Sequence, residues 1–291
     1  MDAVKTENLT KYYGKARGIN NVNLSIKEGD FFGFIGPNGA GKSTTVRTLL
    51  GLIYPSSGRA EVFGLDSARD KLEILSRIGY LPSEISLYNG MKVKEIIELS
   101  ANLRKTDCKK EAALLCDMLE LDTSKKIGEL SLGNRKKVGI VCALQHKPEL
   151  YILDEPTSGL DPLMQREFFS LLKERNEAGA TVFLSSHILS EIEKYCKTAA
   201  VIRDGCVVAC DKVSNLGHTG AKRVCLRGIS QMPEIEGATN IKNNHDSVTF
   251  LYVGTPSQLL TSLSALKFDD FTITDPDLEE VFMHYYSKEE N

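Results

Sequence analysis

The chain of 291 residues contains no tryptophan, and several features that mark particular classes of protein are scarce or missing. No apolar run approaches the roughly 18 residues of a membrane-spanning helix, so the sequence predicts no span. The formal net charge is -3, which gives none of the basic excess typical of nucleic-acid-binding domains. The seven cysteines include no pair at Cys-x-x-Cys spacing, which favours free thiols in a reducing cytosol over a metal site.

The strongest local signal is a glycine-rich loop with the spacing of a phosphate-binding motif. It reads Gly36-Pro37-Asn38-Gly39-Ala40-Gly41-Lys42-Ser43-Thr44. An apolar run at 31–35 predicts a buried strand before the loop, and 44–50 predicts a helix after it. Backbone N–H groups and the helix dipole would surround phosphate oxygens. Lys42 would neutralise the β- and γ-phosphates, and Ser43 would hold Mg²⁺, so the motif predicts nucleoside triphosphate binding.

Two carboxylates close a second apolar strand, predicted at 150–155. Asp154 fits a Mg²⁺ ligand, and Glu155 fits a general base that polarises water. A purely structural role is a weak alternative, because burying paired carboxylates without a cation is costly. His187 follows the next predicted strand, 181–185. A lone histidine is more often structural, but its position at this strand end favours a functional role beside the γ-phosphate.

Other positions leave alternatives open when they are read alone. Tyr13 either stacks on a purine ring or is a half-buried loop aromatic. Ser83 and Glu84 follow the predicted strand 78–82 and either meet a metal or form a surface turn. Ser131 is suited to be the N-cap of a helix that runs to about residue 144. Phosphate binding at this helix N-terminus is the less favoured interpretation. The basic cluster 135–137 fits a solvated helix face.

Together, residues 4–216 resemble the ATP-binding-cassette (ABC) ATPases, with each motif in order. Tyr13 matches the family's adenine-stacking aromatic, and 36–43 matches Walker A. Residues 130–134 match the Leu-Ser-Gly-Gly-Gln signature, in which Ser131 and Gly133 are retained but Leu132 and Asn134 depart. Residues 150–155 match Walker B, 158–161 match the D-loop, and His187 matches the switch histidine.

A further departure lies after Tyr80-Leu81-Pro82, where the family usually has glutamine. This chain has Ser83 there and Glu84 next, and either side chain is a candidate contact of Mg²⁺ or its waters. Of the two, we assign Glu84 to the metal set, with Ser43 and Asp154.

The resemblance implies an α/β P-loop NTPase core with an antiparallel β subdomain and a helical insertion. We expect this ABC ATPase domain at 1–218, with the insertion at about 91–145. Residues 219–291 predict a small C-terminal α+β appendage with strands at 222–226, 247–253 and 271–274 and helices at 256–266 and 277–286. Its tail, 278–286, resembles that of ABC-2 drug and antibiotic exporters.

The resemblance also implies the function, an ATPase subunit that drives a separate exporter permease. The implied cofactors are ATP and Mg²⁺, and the implied catalytic residues are Lys42, Glu155 and His187. The implied nucleotide contacts are Tyr13, Gly36, Pro37, Asn38, Gly39, Ala40, Gly41, Lys42, Ser43, Thr44, Ser131, Gly133 and Asp161.

The implied partners are an integral membrane permease and a second ATPase subunit, either a copy or a sister chain, with no nucleic acid. The resemblance places each ATP between the Walker A of one subunit and Ser131 and Gly133 of the other. Residues 91–126 would face the permease, which puts the chain peripherally on the cytoplasmic face of the membrane.

Two other functions are weaker. A protein acting on ribosomes or DNA would usually carry two cassettes or a long coiled-coil insertion, and neither is present. A regulatory module without turnover would not need the intact set Asp154, Glu155 and His187.

Overall fold

The computed structural model describes residues 1–14, 16–216, 221–229 and 235–274. The chain divides into two compact units, Met1–Asp211 and Lys212–Asn291. The helix expected at 277–286 and the exporter-like tail at 278–286 lie outside the described residues.

The first unit is an α/β unit. Its strands are β1 (Asp2–Tyr13), β2 (Ala16–Lys27), β3 (Phe31–Ile35), β4 (Ser57–Val62), β5 (Leu65–Asp66), β6 (Ile78–Leu81), β7 (Leu150–Asp154), β8 (Thr181–Ser186), β9 (Thr198–Arg203) and β10 (Cys206–Lys212). Its helices are α1 (Lys42–Leu49), α2 (Lys71–Arg77), α3 (Val93–Leu103), α4 (Lys109–Met118), α5 (Leu132–Leu144), α6 (Pro162–Glu177) and α7 (Leu189–Tyr195), with a 3₁₀ turn at Ile127–Glu129.

A six-stranded sheet with the order β10-β9-β3-β8-β7-β6 forms the centre of this unit. Strands β3, β7 and β8 are buried along their whole length, as expected for inner strands of a parallel sheet covered on both faces. The register pairs Ile35 with Ser186 and Asp154 with Ser185. The carboxyl ends of these strands therefore lie side by side, where α/β sheets bind ligands.

A second sheet, with the order β2-β1-β4-β5, is antiparallel. Alternate residues of β2, such as Val22, Leu24 and Ile26, are buried, which gives the strand one apolar face. This face shares a core with Phe34 of the central sheet and Leu49 of α1. The antiparallel β layer expected from the sequence is thus present. The sequence predicts its first two strands at 4–9 and 19–26, and β1 is longer, extending to Tyr13.

The sequence predicts a helix from about 67 to 77, but the helix begins later, at Lys71. The Asp66 carboxylate accepts hydrogen bonds from the backbone N–H groups of Ala68 and Arg69, at 2.9 and 3.0 Å. The Asp70 carboxylate accepts from the Asp66 N–H at 2.9 Å. These side chains hold a turn in the segment expected to be helical.

The second unit contains α8 (Val213–Leu216), β11 (Ala221–Arg227), β12 (Ala238–Asn244), β13 (Ser247–Val253), α9 (Pro256–Ser264) and β14 (Asp270–Thr274). Its antiparallel sheet has the order β12-β13-β11-β14. Leu259 and Leu263 of α9 share a core with Val224 and Phe250 of the sheet. Strand β12 was not predicted. None of the described helices is long and apolar enough to cross a membrane, and all seven cysteines are free.

Candidate active site

The glycine-rich loop joins the end of β3 to the start of α1. Gly41 is the N-cap of α1 with φ 108°, in the left-handed region that glycine adopts without strain. The helix begins at Lys42, two residues earlier than expected. The Lys42 ammonium is almost buried and donates to the carbonyl oxygens of Gly36 and Pro37, at 2.6 and 3.1 Å. The loop is therefore folded around its own lysine, with the α1 N-terminus beside it.

Asp154 lies at the end of β7 and connects the loop to the neighbouring strand. Its two carboxylate oxygens accept hydrogen bonds from the Ser43 and Ser185 hydroxyls, each at 2.7 Å. The carboxylate is almost fully buried. Ser43 and Asp154 thus present two hard oxygen donors side by side, a donor set that fits Mg²⁺, which binds through one or two carboxylates together with phosphates.

Glu155 follows directly and is held in an unusual backbone conformation. Its φ of 52° lies in the left-handed region, which non-glycine residues rarely adopt and which clusters at functional sites. Its carboxylate lies 3.2 Å from the Lys42 ammonium. The other carboxylate oxygen contacts Nδ1 of His187, whose side chain is 46% exposed. Lys42, Glu155 and His187, the three predicted catalytic residues, therefore form one connected group.

Lys42, Ser43 and Glu155 border a cavity of about 460 Å³, whereas Asp154 and His187 contact these residues without lining it. The lining residues are Tyr13, Arg17, Gly18, Pro37, Asn38, Gly39, Gly41, Lys42, Ser43, Thr44, Ser83, Glu84, Glu155 and Ser158. Ten of the predicted site residues are among them, including Tyr13 and Glu84. Gly36 and Ala40 are buried in the loop behind it. Arg17 and Gly18 were not predicted, because no local pattern marks them, and Ser158 was matched to the D-loop without being predicted as a site residue.

The structure does not bring Ser131, Gly133 or Asp161 into this cavity. Ser131 caps α5, its hydroxyl accepting from the Asn134 N–H at 3.3 Å. Asp161 caps α6 by accepting from the N–H groups of Leu163 and Met164, at 3.1 and 3.0 Å. Those backbone hydrogen bonds lower the pKa of Asp161 below its usual value. Within one chain these residues have helix-capping or packing roles.

Comparison with known proteins places this site in a family. A family model described as ABC transporter matches residues 19–158. The bacitracin transport ATP-binding protein BcrA of Bacillus licheniformis is 43% identical over 208 residues, covering 69% of this chain and 67% of BcrA. The linearmycin resistance ATP-binding protein LnrL of Bacillus subtilis is 34% identical, covering 78% of this chain and 76% of LnrL. The chain belongs to the ATP-binding proteins of ABC transporters.

The same family appears among solved structures. The dimeric bacterial ABC transporter cassette MJ0796 matches with a TM-score of 0.64 at 28% identity, covering 72% of this chain and 98% of MJ0796. This ABC cassette is thus an ATP-binding and ATP-hydrolysing subunit of a transporter, with the α/β architecture of its family.

The sequence did not predict the roles of two residues around the site of the ABC cassette. The first is Glu191 in α7, whose side chain is 7% exposed. Its carboxylate accepts from the Thr157 hydroxyl at 2.6 Å and the Ser186 hydroxyl at 2.7 Å. Thr157 lies two residues after Glu155, and Ser186 lies directly before His187. Glu191 therefore connects the segments that carry Glu155 and His187. The sequence shows Glu191 only as a carboxylate in the first turn of a helix, and this gives no sign of the connection.

The second is Lys136, from the cluster expected to be a solvated helix face. Its side chain is buried, with 4% exposed, so that expectation is wrong for this residue. Its ammonium donates to the carbonyl oxygens of Pro82 and Ser83, each at 3.1 Å. Burial lowers the pKa of Lys136 to about 8, although the negative charges of Asp154 and Glu155 oppose the shift.

Proposed function

We propose that this ABC cassette is the ATPase of an exporter, driving a separate permease through ATP-dependent closure of a cassette dimer. The observation that carries the proposal is that Lys42 and Glu155 line one cavity of about 460 Å³, with His187 in contact with the Glu155 carboxylate. Export is supported by the relatives, one named for bacitracin transport and one for linearmycin resistance.

Each group at the cavity has a chemical role in this proposal. Backbone N–H groups of 36–44 and the α1 N-terminus bind the phosphates, and Lys42 balances the β- and γ-phosphate charge. Tyr13, which is about half exposed at the cavity wall, stacks on the adenine. Glu155 accepts a proton from the attacking water, and His187 orients Glu155 and the γ-phosphate.

Mg²⁺ is the metal that the site fits. Ser43 and Asp154 would hold it, and Glu84, which lines the same cavity as Ser43, completes the proposed metal set. When bound, Mg²⁺ neutralises charge on the phosphate oxygens.

The second half of the site comes from a partner cassette. Ser131, Gly133 and Asp161 do not line the cavity of their own chain, whereas Ser131 stands exposed at the N-terminus of α5. A helix N-terminus with an exposed serine is suited to bind phosphate across a dimer interface. The γ-phosphate of ATP would then favour the closed dimer, and ATP hydrolysis would reopen the dimer.

We also propose the remaining organisation from the family pattern. The ATPase domain spans 1–218 with its helical insertion at about 91–145, and 219–291 forms the appendage. The insertion faces an integral membrane permease, so the cassette is peripheral on the cytoplasmic face of the membrane.

The test is affinity purification from mildly solubilised membranes of the source cells, with tagged Glu155→Gln as bait and MgATP present. We expect a polytopic membrane protein that is enriched over a parallel Lys42→Ala bait, because the Lys42 variant does not hold ATP. Ribosomal or DNA-bound partners without any membrane protein would contradict the exporter assignment.

A further inference from the structure

We propose that Lys136 is a positioning residue that fixes the Pro82–Ser83 backbone, so that Ser83 and Glu84 face the nucleotide. This inference rests on the proposed function, because it concerns residues at the same cavity. It identifies what holds a loop in which Ser83 stands at the position of the family's usual glutamine.

The contacts of Lys136 are made to the loop itself. The ammonium donates to two successive carbonyl oxygens, those of Pro82 and Ser83, both at 3.1 Å. Charged donors form stronger hydrogen bonds than neutral ones. Two such bonds to adjacent peptide groups constrain the orientation of the chain just before Glu84.

The loop needs such a constraint because of where it begins. It leaves β6, which is the edge strand of the central sheet. The strand ends at Leu81, so the carbonyls of Pro82 and Ser83 have no neighbouring strand on the outer side to donate to them. Lys136 supplies donors to both carbonyls from the helix above.

The helix that carries Lys136 lies unusually close to β6 and the loop. A Cβ at Gly139, one turn after Lys136, would lie 2.2 Å from the Ile85 side chain. A Cβ at Gly79 of β6 would lie 2.1 Å from the Ala143 carbonyl oxygen of α5. Position 79 therefore requires glycine, because a backbone oxygen occupies the space, whereas a side chain at position 139 would displace Ile85. The face of α5 that contains Lys136 thus packs closely against this strand and loop.

The charge of Lys136 is not explained by an ion pair. Within the described residues, no carboxylate lies at ion-pair distance from its ammonium. A buried cation that binds only carbonyl oxygens destabilises the fold, because no opposite charge offsets the free-energy cost of its desolvation. Its presence is better explained by a requirement at the site, where it fixes the loop near the carboxylates Asp154 and Glu155.

Helix α5 links this loop to a second part of the site. Ser131 is the N-cap of α5, five residues before Lys136. A single rigid helix thus carries both the proposed phosphate contact to the partner cassette and the residue that fixes the loop. Movement of α5 would therefore be transmitted to Ser83 and Glu84 through Lys136.

The experiment compares Lys136→Met with wild type in the full chain. Methionine keeps much of the apolar stem and removes the donors. Lys110→Met, an exposed lysine on α4, is the matched control. Three quantities are measured: the urea midpoint of unfolding, hydrogen exchange of the amides at 83–86, and ATP affinity with and without Mg²⁺.

We expect Lys136→Met to unfold at the wild-type midpoint or above, because an apolar replacement for a buried charge is often neutral or stabilising. Exchange at 83–86 should rise about tenfold, and MgATP affinity should fall about tenfold, as expected when charged hydrogen bonds are lost. ATP affinity in EDTA should change less. Lys110→Met should match wild type in all three measurements.

Wild-type exchange at 83–86 together with wild-type MgATP affinity in Lys136→Met would overturn the inference. A lowered midpoint that accounts for both changes would also overturn it, since it would indicate a structural role. If Lys136→Met fails to fold, Lys136→Gln, which retains one donor group, is judged by the same criteria. Failure of the wild-type chain to bind MgATP would instead refute the proposed function, and loop exchange would still decide the role of Lys136.

Discussion

Replacement of Glu191 should separate ATP turnover from ATP binding. Its carboxylate accepts two short hydrogen bonds, from Thr157 and Ser186, in a buried environment. Hydrogen bonds to a charged group contribute about 1.5–3 kcal/mol each, compared with about 1 kcal/mol for neutral ones. Glu191→Gln keeps the volume and leaves both hydroxyls with a partner, since each can donate or accept.

Glu191→Gln therefore loses only the extra strength that the negative charge gives to the two hydrogen bonds. This loss is partly offset because a neutral amide costs less free energy to bury than a carboxylate. We expect a decrease in the free energy of unfolding of about 1–2 kcal/mol. Glu191→Ala also removes both bonds and leaves a cavity, so we expect a decrease of about 4–5 kcal/mol. Urea unfolding at constant pH measures both values.

Turnover should respond differently from stability. The contacts of Glu191 fix the segments that carry Glu155 and His187, and none reaches the phosphate loop. In Glu191→Gln we expect kcat to fall about tenfold and ATP affinity to change less than about threefold, since small misplacements of catalytic groups reduce the rate strongly. Initial rates at saturating MgATP and equilibrium nucleotide binding provide these quantities, with Glu193→Gln on the same helix as the control.

Either of two results would refute this reasoning. Unchanged kcat in Glu191→Gln would show that the connection does not position the catalytic groups. An equal loss of kcat and ATP affinity would show that Glu191 acts on the whole site through general destabilisation.

Three further predictions concern the phosphate loop, the metal and pH. Lys42→Ala should abolish measurable ATP binding, because the charge that offsets the phosphates is lost; wild-type affinity by calorimetry would contradict this. Ser43→Ala should bind ATP equally with Mg²⁺ or EDTA, whereas wild-type affinity should fall in EDTA; a variant that keeps the wild-type difference would exclude Ser43 as a ligand. Burial lowers the pKa of His146 to about 4, and its Nε2–H donates to the Ile78 carbonyl oxygen at 3.0 Å. The neutral ring stabilises the fold above pH 6.5, which is about the pKa of histidine in the unfolded chain. This contribution is lost as pH falls from about 6.5 towards 4. The free energy of unfolding decreases by at most about 1.4 kcal/mol per pH unit, and by less because the ring is partly exposed. Urea unfolding at pH 7.5 and 5.5 should show a steeper loss in wild type than in His146→Gln, and parallel losses would refute the assignment.

The parts of the fold that follow from local pattern were predictable from the sequence. Strand β3 is a continuous apolar run, and its predicted bounds are those observed. Ser131 was predicted as an N-cap, and its side chain accepts the capping hydrogen bond. Strand β12 lacked any such signal, because Ala238–Asn244 is mostly polar and exposed and is held by pairing with β13. Its existence depends on a neighbour in the sheet rather than on its own pattern.

The site was predictable where a motif spans contiguous residues. The sequence singled out Lys42, Asp154, Glu155 and His187, since each belongs to a motif at or just after the end of a predicted strand. Lys136 and Glu191 were not identified, because each has a partner far away in the sequence. The partners of Lys136 lie 53 and 54 residues away, and Thr157 lies 34 residues from Glu191, although Ser186 lies only 5 residues from it. A buried lysine and an exposed one have the same sequence appearance, and only the approach of α5 to β6 distinguishes them.

Hydrolysis of ATP through Glu155 is tested most directly by phosphate release from the purified cassette, with wild type and Glu155→Gln compared at MgATP concentrations that saturate both. We predict that the wild-type cassette releases phosphate and that Glu155→Gln binds ATP with unchanged affinity, accumulates as a dimer and releases none. Phosphate release at the wild-type rate by Glu155→Gln would contradict the assignment of the base and the mechanism built on it.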